Sequence, residues 1–82
     1  YFMISNYKYF LVLSEELNIS NAAKRLFISH QCLSKYIKGL EEQYGVSFFE
    51  RKPKIALTPA GKVMLDTLRE IELAEQNLEI SL

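Results

Sequence analysis

Residues 21–41 read NAAKRLFISHQCLSKYIKGLE, and their spacing decides the fold. Ala22, Ala23 and Leu26 form the inward face of a short helix. Its small side chains let a second helix approach closely, and Ser20 is read as its N-cap. Phe27 and Ile28 make a turn, with Ile28 plugging the core, and Ser29 caps the next helix. That helix is expected from His30 to about Tyr44, with Gly45 ending it in the left-handed conformation. Leu33, Ile37, Leu40 and Tyr44 recur at helical spacing as its inward stripe. Gln31, Ser34, Lys35 and Lys38 fall on a nearly opposite stripe that is polar, basic and rich in hydrogen-bonding groups. A helix needs such a face to read base edges in a major groove. Cys32, Tyr36 and Gly39 lie along a flank.

The flanking sequence completes a small, mostly α domain. A first helix is expected from about Asn6 to Leu17, capped by Ser5, with Tyr9, Phe10, Leu13 and Leu17 inward. Tyr1 and Phe2 precede Met3 and are set aside. After Gly45, Val46, Phe48 and Phe49 are apolar anchors, Glu50-Arg51-Lys52-Pro53-Lys54 is a polar basic tip, and Ile55-Ala56-Leu57 is a short strand. Two brief apolar segments around a Pro-containing tip predict a β-hairpin wing over about residues 49–57. Thr58 then caps a last helix with Pro59 in its first turn. The expected architecture is a winged helix-turn-helix, a three-helix core with a hairpin wing, followed by a long linker helix. The division is a DNA-binding unit over 1–58 and a linker or dimerisation helix over 59–82.

Composition narrows the function. The 82 residues suffice for one small domain. The apolar run Tyr9–Leu13 is far shorter than the roughly 20 residues of a membrane span, and the start shows no secretory signal pattern. One cysteine, Cys32, cannot form an internal disulfide, which points to a reducing cytoplasm. With His30 as the one histidine, no structural zinc site is expected. Gly39, Gly45 and Gly61 are scattered and form no phosphate-binding loop. No metal, cofactor or catalytic constellation is expected, and Glu41 and Glu42, as neighbours on a helix, do not face each other. The net charge of zero hides an uneven distribution. Lys24, Arg25, Lys35, Lys38, Arg51, Lys52, Lys54 and Lys62 make residues 21–62 basic, with only Glu41, Glu42 and Glu50 against them. The tail holds Asp66, Glu70, Glu72, Glu75 and Glu79 against Arg69. A locally basic stretch attracts phosphate even in a neutral chain, although a solvated charged surface reads the same way.

Taken in order, NAAKRL (21–26), SHQCLSKYIKGLE (29–41), GVSFFER (45–51) and LTPAG (57–61) resemble the amino-terminal domain of LysR-type transcriptional regulators. That family shows an AAxxL second helix, an SQPALSRQIRxLE-like recognition helix, a GxxLFxR turn and an LTxAG start to a linker helix. The resemblance spans nearly the whole chain. It implies a longer regulator with a small-molecule effector domain after the linker helix. It also implies dimers through the linker helices, tetramers in the full-length protein, and binding to interrupted inverted repeats in promoters. His30 stands where the family often has Gln, Gln31 replaces a common Pro, Cys32 a common Ala, Lys35 a common Arg and Tyr36 a common Gln. Gly39 replaces a frequent Ala, and the wing is about one residue shorter.

The candidate DNA-binding residues are Ser20, Ser29, His30, Gln31, Ser34, Lys35, Lys38, Arg51, Lys52 and Lys54. Gln31 can pair bidentately with adenine and Ser34 can take either role. Lys35 reaches guanine edges or phosphate, and Lys38 is better suited to phosphate. Ser20 is a cap that can also meet a phosphate at a helix N-terminus. His30 is either a DNA contact or an exposed first-turn residue. Arg51, at the family's LFxR position, is either a wing contact near the minor groove or a structural ion pair with a core-proximal Glu. Cys32 is read as a small apolar packer, and Gly39 as a site of close helix packing. In the last helix Met64, Leu68, Ile71, Leu78 and Leu82 alternate by four and three, a heptad-like seam interrupted by Glu75. The seam predicts a homodimer, or a helix packed on a downstream domain. The competing function is a winged helix used as a protein–protein interaction module.

Overall fold

The structure is a computed structural model describing residues 6–82; Ser5, expected to cap the first helix, lies outside the described residues. Four helices and one hairpin follow in order: α1 (Tyr7–Glu16), α2 (Ile19–Leu26), α3 (His30–Tyr44), β1 (Phe49–Glu50), β2 (Ala56–Leu57) and α4 (Pro59–Ser81). The strands pair antiparallel, Phe49 opposite Leu57 and Glu50 opposite Ala56. This is the expected winged helix-turn-helix with a long last helix.

The core gathers one face of each helix. Phe10, Leu13, Leu33, Ile37 and Leu68 are fully enclosed, with Ala22 and Ala23 closing the α1–α2 contact. Phe48 and Phe49 complete it from the wing's root. The Phe10 ring meets Phe48 edge-on at 5.7 Å and Phe49 at 5.0 Å between centroids. Tyr7 and Leu11 are also buried, which the expected α1 face omitted. Leu17 and Tyr44, both expected inward, are 38% and 47% exposed because each stands at the C-terminal end of its helix. Val46 is likewise exposed, so the anchoring falls to Phe48 and Phe49.

The caps follow from short polar side chains with one correction. Asn18, not Ser20, caps α2: its backbone is extended, and its Oδ1 accepts the Asn21 N–H at 2.9 Å. Ser20 is therefore an exposed second residue of α2, with its own N–H at the open helix end. Ser29 caps α3 by accepting the Cys32 N–H at 3.0 Å, and Gly45 closes α3 at φ 70°, both as read. Thr58 caps α4 by accepting the Gly61 N–H at 3.0 Å. The same hydroxyl donates to the Ser47 carbonyl at 2.6 Å, so one side chain joins the wing's root to α4.

Three further expectations change. Gly39 is exposed, and a Cβ built on it meets nothing within 4 Å, so close packing within the domain does not explain this glycine. Cys32 is exposed and is not a packing residue. The division at residue 58 does not follow the packing either, since Gly61, Met64 and Leu68 of α4 lie in the same core as α1 and α3. Among the described residues, no helix is long and apolar enough to cross a membrane.

Candidate nucleic-acid interface

The outer face of α3 is built by what its inner face buries. Leu33, Ile37 and Leu40 turn inward, so Gln31, Lys35 and Lys38 are fully presented and Ser34 is half-buried at the edge. His30 and Ser29 are exposed at the helix start. Ser34, Lys38 and Glu41 follow one another along the side of α3 that meets the wing, by helical spacing. Glu41 is the joint. Its Oε2 accepts the backbone N–H groups of Phe48 at 2.7 Å and Phe49 at 3.3 Å, while its Oε1 lies 3.7 Å from Arg51 Nη2. The sequence reading missed this carboxylate, because it was considered only as half of an acid/base pair. Its position one turn beyond Lys38, before a Gly turn, was the available signal.

Arg51 therefore takes the structural alternative, an ion pair with Glu41. At 3.7 Å, with the Arg51 side chain 48% exposed, the pair is loose and contributes little stability, which leaves the guanidinium free to turn outward. Lys52 and Lys54 are exposed at the wing's tip. Among the described residues the ion pairs use only Arg25, held by Glu15 at 2.8 Å and Glu16 at 2.9 Å, and Arg51. Lys35, Lys38, Lys52 and Lys54 are exposed and enter no salt bridge among the described residues. These exposed cations on α3 and on the wing are consistent with an attraction for phosphate.

Tyr36 joins the flank of α3 to α1. Its ring packs edge-on against Tyr9 of α1 at 5.2 Å, and its hydroxyl is buried with no hydrogen-bond partner among the described residues. Burial, with smaller contributions from Tyr44 and Tyr9, pushes its pKa up to about 12 from an ordinary 10.0. The neutral phenol is thus favoured by folding. Its contribution is intact below pH 10 and is lost as pH rises through 12. Tyr36→Phe is expected to flatten the loss of stability across that window and to be neutral or stabilising by up to about 1 kcal/mol at pH 7. Urea midpoints measured from pH 7 to 12 check this; a less stable variant at pH 7 would mean that the hydroxyl is satisfied after all.

The seam expected on α4 is split by the core. Met64 is 9% exposed and Leu68 is fully buried by their own domain, so these two are covered from within, while Ile71 packs on the same cluster and is only partly buried. Glu75 interrupts the stripe for a local reason: its carboxylate accepts the Tyr7 hydroxyl of α1. Beyond it every residue from Gln76 to Leu82 is exposed, including Leu78 at 59% and Leu82 at 95%. Among the described residues no group of three or more His, Cys, Asp or Glu side chains could hold a metal ion.

Known proteins share this arrangement. Residues 4–62 match the family described as bacterial regulatory helix-turn-helix protein, lysR family. The HTH-type transcriptional regulator TfdS of Cupriavidus pinatubonensis is 40% identical over 76 residues, which is 90% of this chain and 26% of that protein. A solved CbnR DBD–DNA complex superposes with a TM-score of 0.80 at 38% identity, covering 90% of this chain and 87% of that one. A BenM DBD/catB site 1 DNA complex gives 0.79 at 28% identity, covering 89% and 83%. The chain spans about a quarter of the length of the curated relatives it matches. With the family match covering most of the residues and the fold superposing over nine-tenths of the chain, this chain belongs to the LysR family of bacterial helix-turn-helix regulators.

Proposed function

We infer that the chain is the DNA-binding part of a LysR-family transcriptional regulator that recognises specific sequences in double-stranded DNA. The observation that carries the reading is the outer face of α3, where the polar Gln31 and Ser34 stand with Lys35 and Lys38, neither lysine in a salt bridge among the described residues, beside a wing that carries Arg51, Lys52 and Lys54. In this reading α3 enters a major groove. Gln31 and Ser34 read base edges, Lys35 reaches a base or phosphate, and Lys38, Ser29 and His30 position the backbone. Ser20 offers its N–H at the start of α2 to a phosphate. Arg51, Lys52 and Lys54 meet the flanking minor groove, and Arg51 exchanges its loose hold on Glu41 for the nucleic acid. The CbnR and BenM domains, solved with DNA, support this assignment.

The wider protein is proposed as a cytoplasmic, non-catalytic regulator that carries a small-molecule effector domain after α4. It acts as a homodimer, or a tetramer when full-length, on an interrupted inverted repeat. Dimerisation is assigned to the seam positions of α4 that its own domain does not enclose, the partly buried Ile71 and the exposed Leu78 at 59% and Leu82 at 95%, and no longer to Met64 and Leu68. An interaction module without DNA is disfavoured by the exposed lysines.

Selection of bound duplexes from a random library at near-physiological salt tests the reading. An enriched motif with two-fold symmetry is expected, with half-sites one or more helical turns apart. On the selected duplex, Gln31→Ala and Lys35→Ala are each expected to cost about 1–3 kcal/mol of binding, with unchanged folding. Weak binding that enriches no motif and vanishes as salt rises would instead mean that the domain touches only phosphate.

A further inference from the structure

The Phe27 side chain has no role in the fold. It lies in the turn between α2 and α3 and is 95% exposed, so its ring packs on nothing. It also holds a left-handed backbone, φ 57° and ψ 40°, while its N–H closes α2 onto the Ala23 and Lys24 carbonyls. An L-residue with a Cβ is strained there, and Gly or Asn would make the same turn with less strain. Leu17 ends α1 in the same conformation but is covered to about three-fifths, so its side chain contributes to packing. Phe27 is strained without any such contact, and uncompensated strain of this kind clusters at functional positions.

We propose that Phe27 is a DNA-contacting residue whose ring packs on an apolar surface of the duplex at the edge of the groove that α3 enters. The proposal rests on the DNA-binding reading above. Phe27 stands three residues before His30 and four before Gln31, so it marks the leading end of α3, where the base-reading side chains begin. Three peptide units place its Cα within about 11 Å of that of His30. Around it in sequence stand exposed Lys24, Ser29, His30 and Gln31. A protein-docking patch needs contiguous exposed apolar surface. Leu17, which is exposed, lies at the far end of α2, about 12 Å along the helix. Tyr44 and Val46, also exposed, lie at and just beyond the far end of α3, and the remaining large exposed apolar side chains belong to α4. A single ring among polar and basic groups suits a deoxyribose face or a thymine methyl, the apolar surfaces that a duplex presents beside its phosphates.

The test compares the wild-type domain, Phe27→Asn and Phe27→Tyr on the selected duplex. Phe27→Asn is expected to raise the thermal midpoint by a few degrees, about 4 °C, while weakening specific binding about fivefold or more. Phe27→Tyr, which keeps the apolar ring, is expected to bind within about twofold of wild type. Replacing thymine by uracil at each position of the half-site separates the two surfaces: a loss that Phe27→Asn abolishes assigns the methyl, and no such loss assigns the sugar. Unchanged affinity in Phe27→Asn overturns the proposal, and so does a variant whose only change is in self-association. Failure of the wild-type domain to select any duplex would instead strike the DNA-binding reading itself.

Discussion

Replacing Gly61 with alanine is expected to remove most of the domain's stability at 25 °C. Gly61 lies in the first turn of α4, where the helix is pressed against the wing's root. A Cβ there would stand 2.1 Å from the Phe48 carbonyl oxygen and 2.9 Å from a Leu57 methyl. The leucine can rotate away, but the carbonyl cannot. It accepts the Thr58 N–H at 3.0 Å, and Phe48 is fixed from the other side by Glu41 and by the Phe10 ring. Overpacking against a soft side chain costs about 1–3 kcal/mol, and a clash with pinned backbone belongs at or above the upper end. A domain of this size has a total stability of roughly 5 kcal/mol. Urea unfolding followed by circular dichroism would show the midpoint falling most of the way to zero. A midpoint near that of the wild type would show that α4 can slide off the wing at little cost, and the Thr58 joint would then not hold these elements in register.

The second large effect separates the two halves of α4. Leu68→Ala is expected to lower the stability of the folded domain by about 2–5 kcal/mol, because the side chain is fully enclosed and its loss leaves a cavity. Leu78→Ala, at a position 59% exposed, is expected to leave intradomain stability within about 0.5 kcal/mol of wild type. Its effect should fall on self-association. Unfolding at several protein concentrations distinguishes the cases, since stability that comes from a partner rises with concentration. A Leu68 variant that keeps its stability when dilute and loses only its dimer would restore Leu68 to a seam between chains. A destabilised Leu68 variant beside a monomeric, stable Leu78 variant sets the boundary between core and partner within the stretch from Leu68 to Leu78.

This boundary could not be read from the periodic stripe alone. Met64, Leu68, Ile71, Leu78 and Leu82 recur with one spacing, and a heptad pattern says that a face is apolar without saying what covers it. The start of α4 is covered by α1 and the wing, and that cover ends where Tyr7 donates to Glu75. The same limit explains Gly39 and Gly61. Both are helical glycines in the sequence, yet one faces open space and the other a carbonyl of the wing. Ser20 was assigned the cap because capping residues crowd at 18–21, and the extended backbone at Asn18 decided among them.

Local physics settled most of the rest within the sequence itself. Helix period, Ser29 and Thr58 as caps, Gly45 as a stop and the Pro-bearing basic tip are consequences of each residue's own conformational preferences and of near neighbours. For that reason the helices, the wing and the exposed α3 stripe could be placed without coordinates. What the tertiary structure alone decided involves residues far apart in the chain. Glu41 binds the wing's root, Arg51 leans on Glu41, the Tyr36 ring rests on Tyr9, and Phe27 is left uncovered. A sequence states which groups a chain carries; burial and pairing are properties of which distant surfaces meet, and these appear only when the whole core has closed.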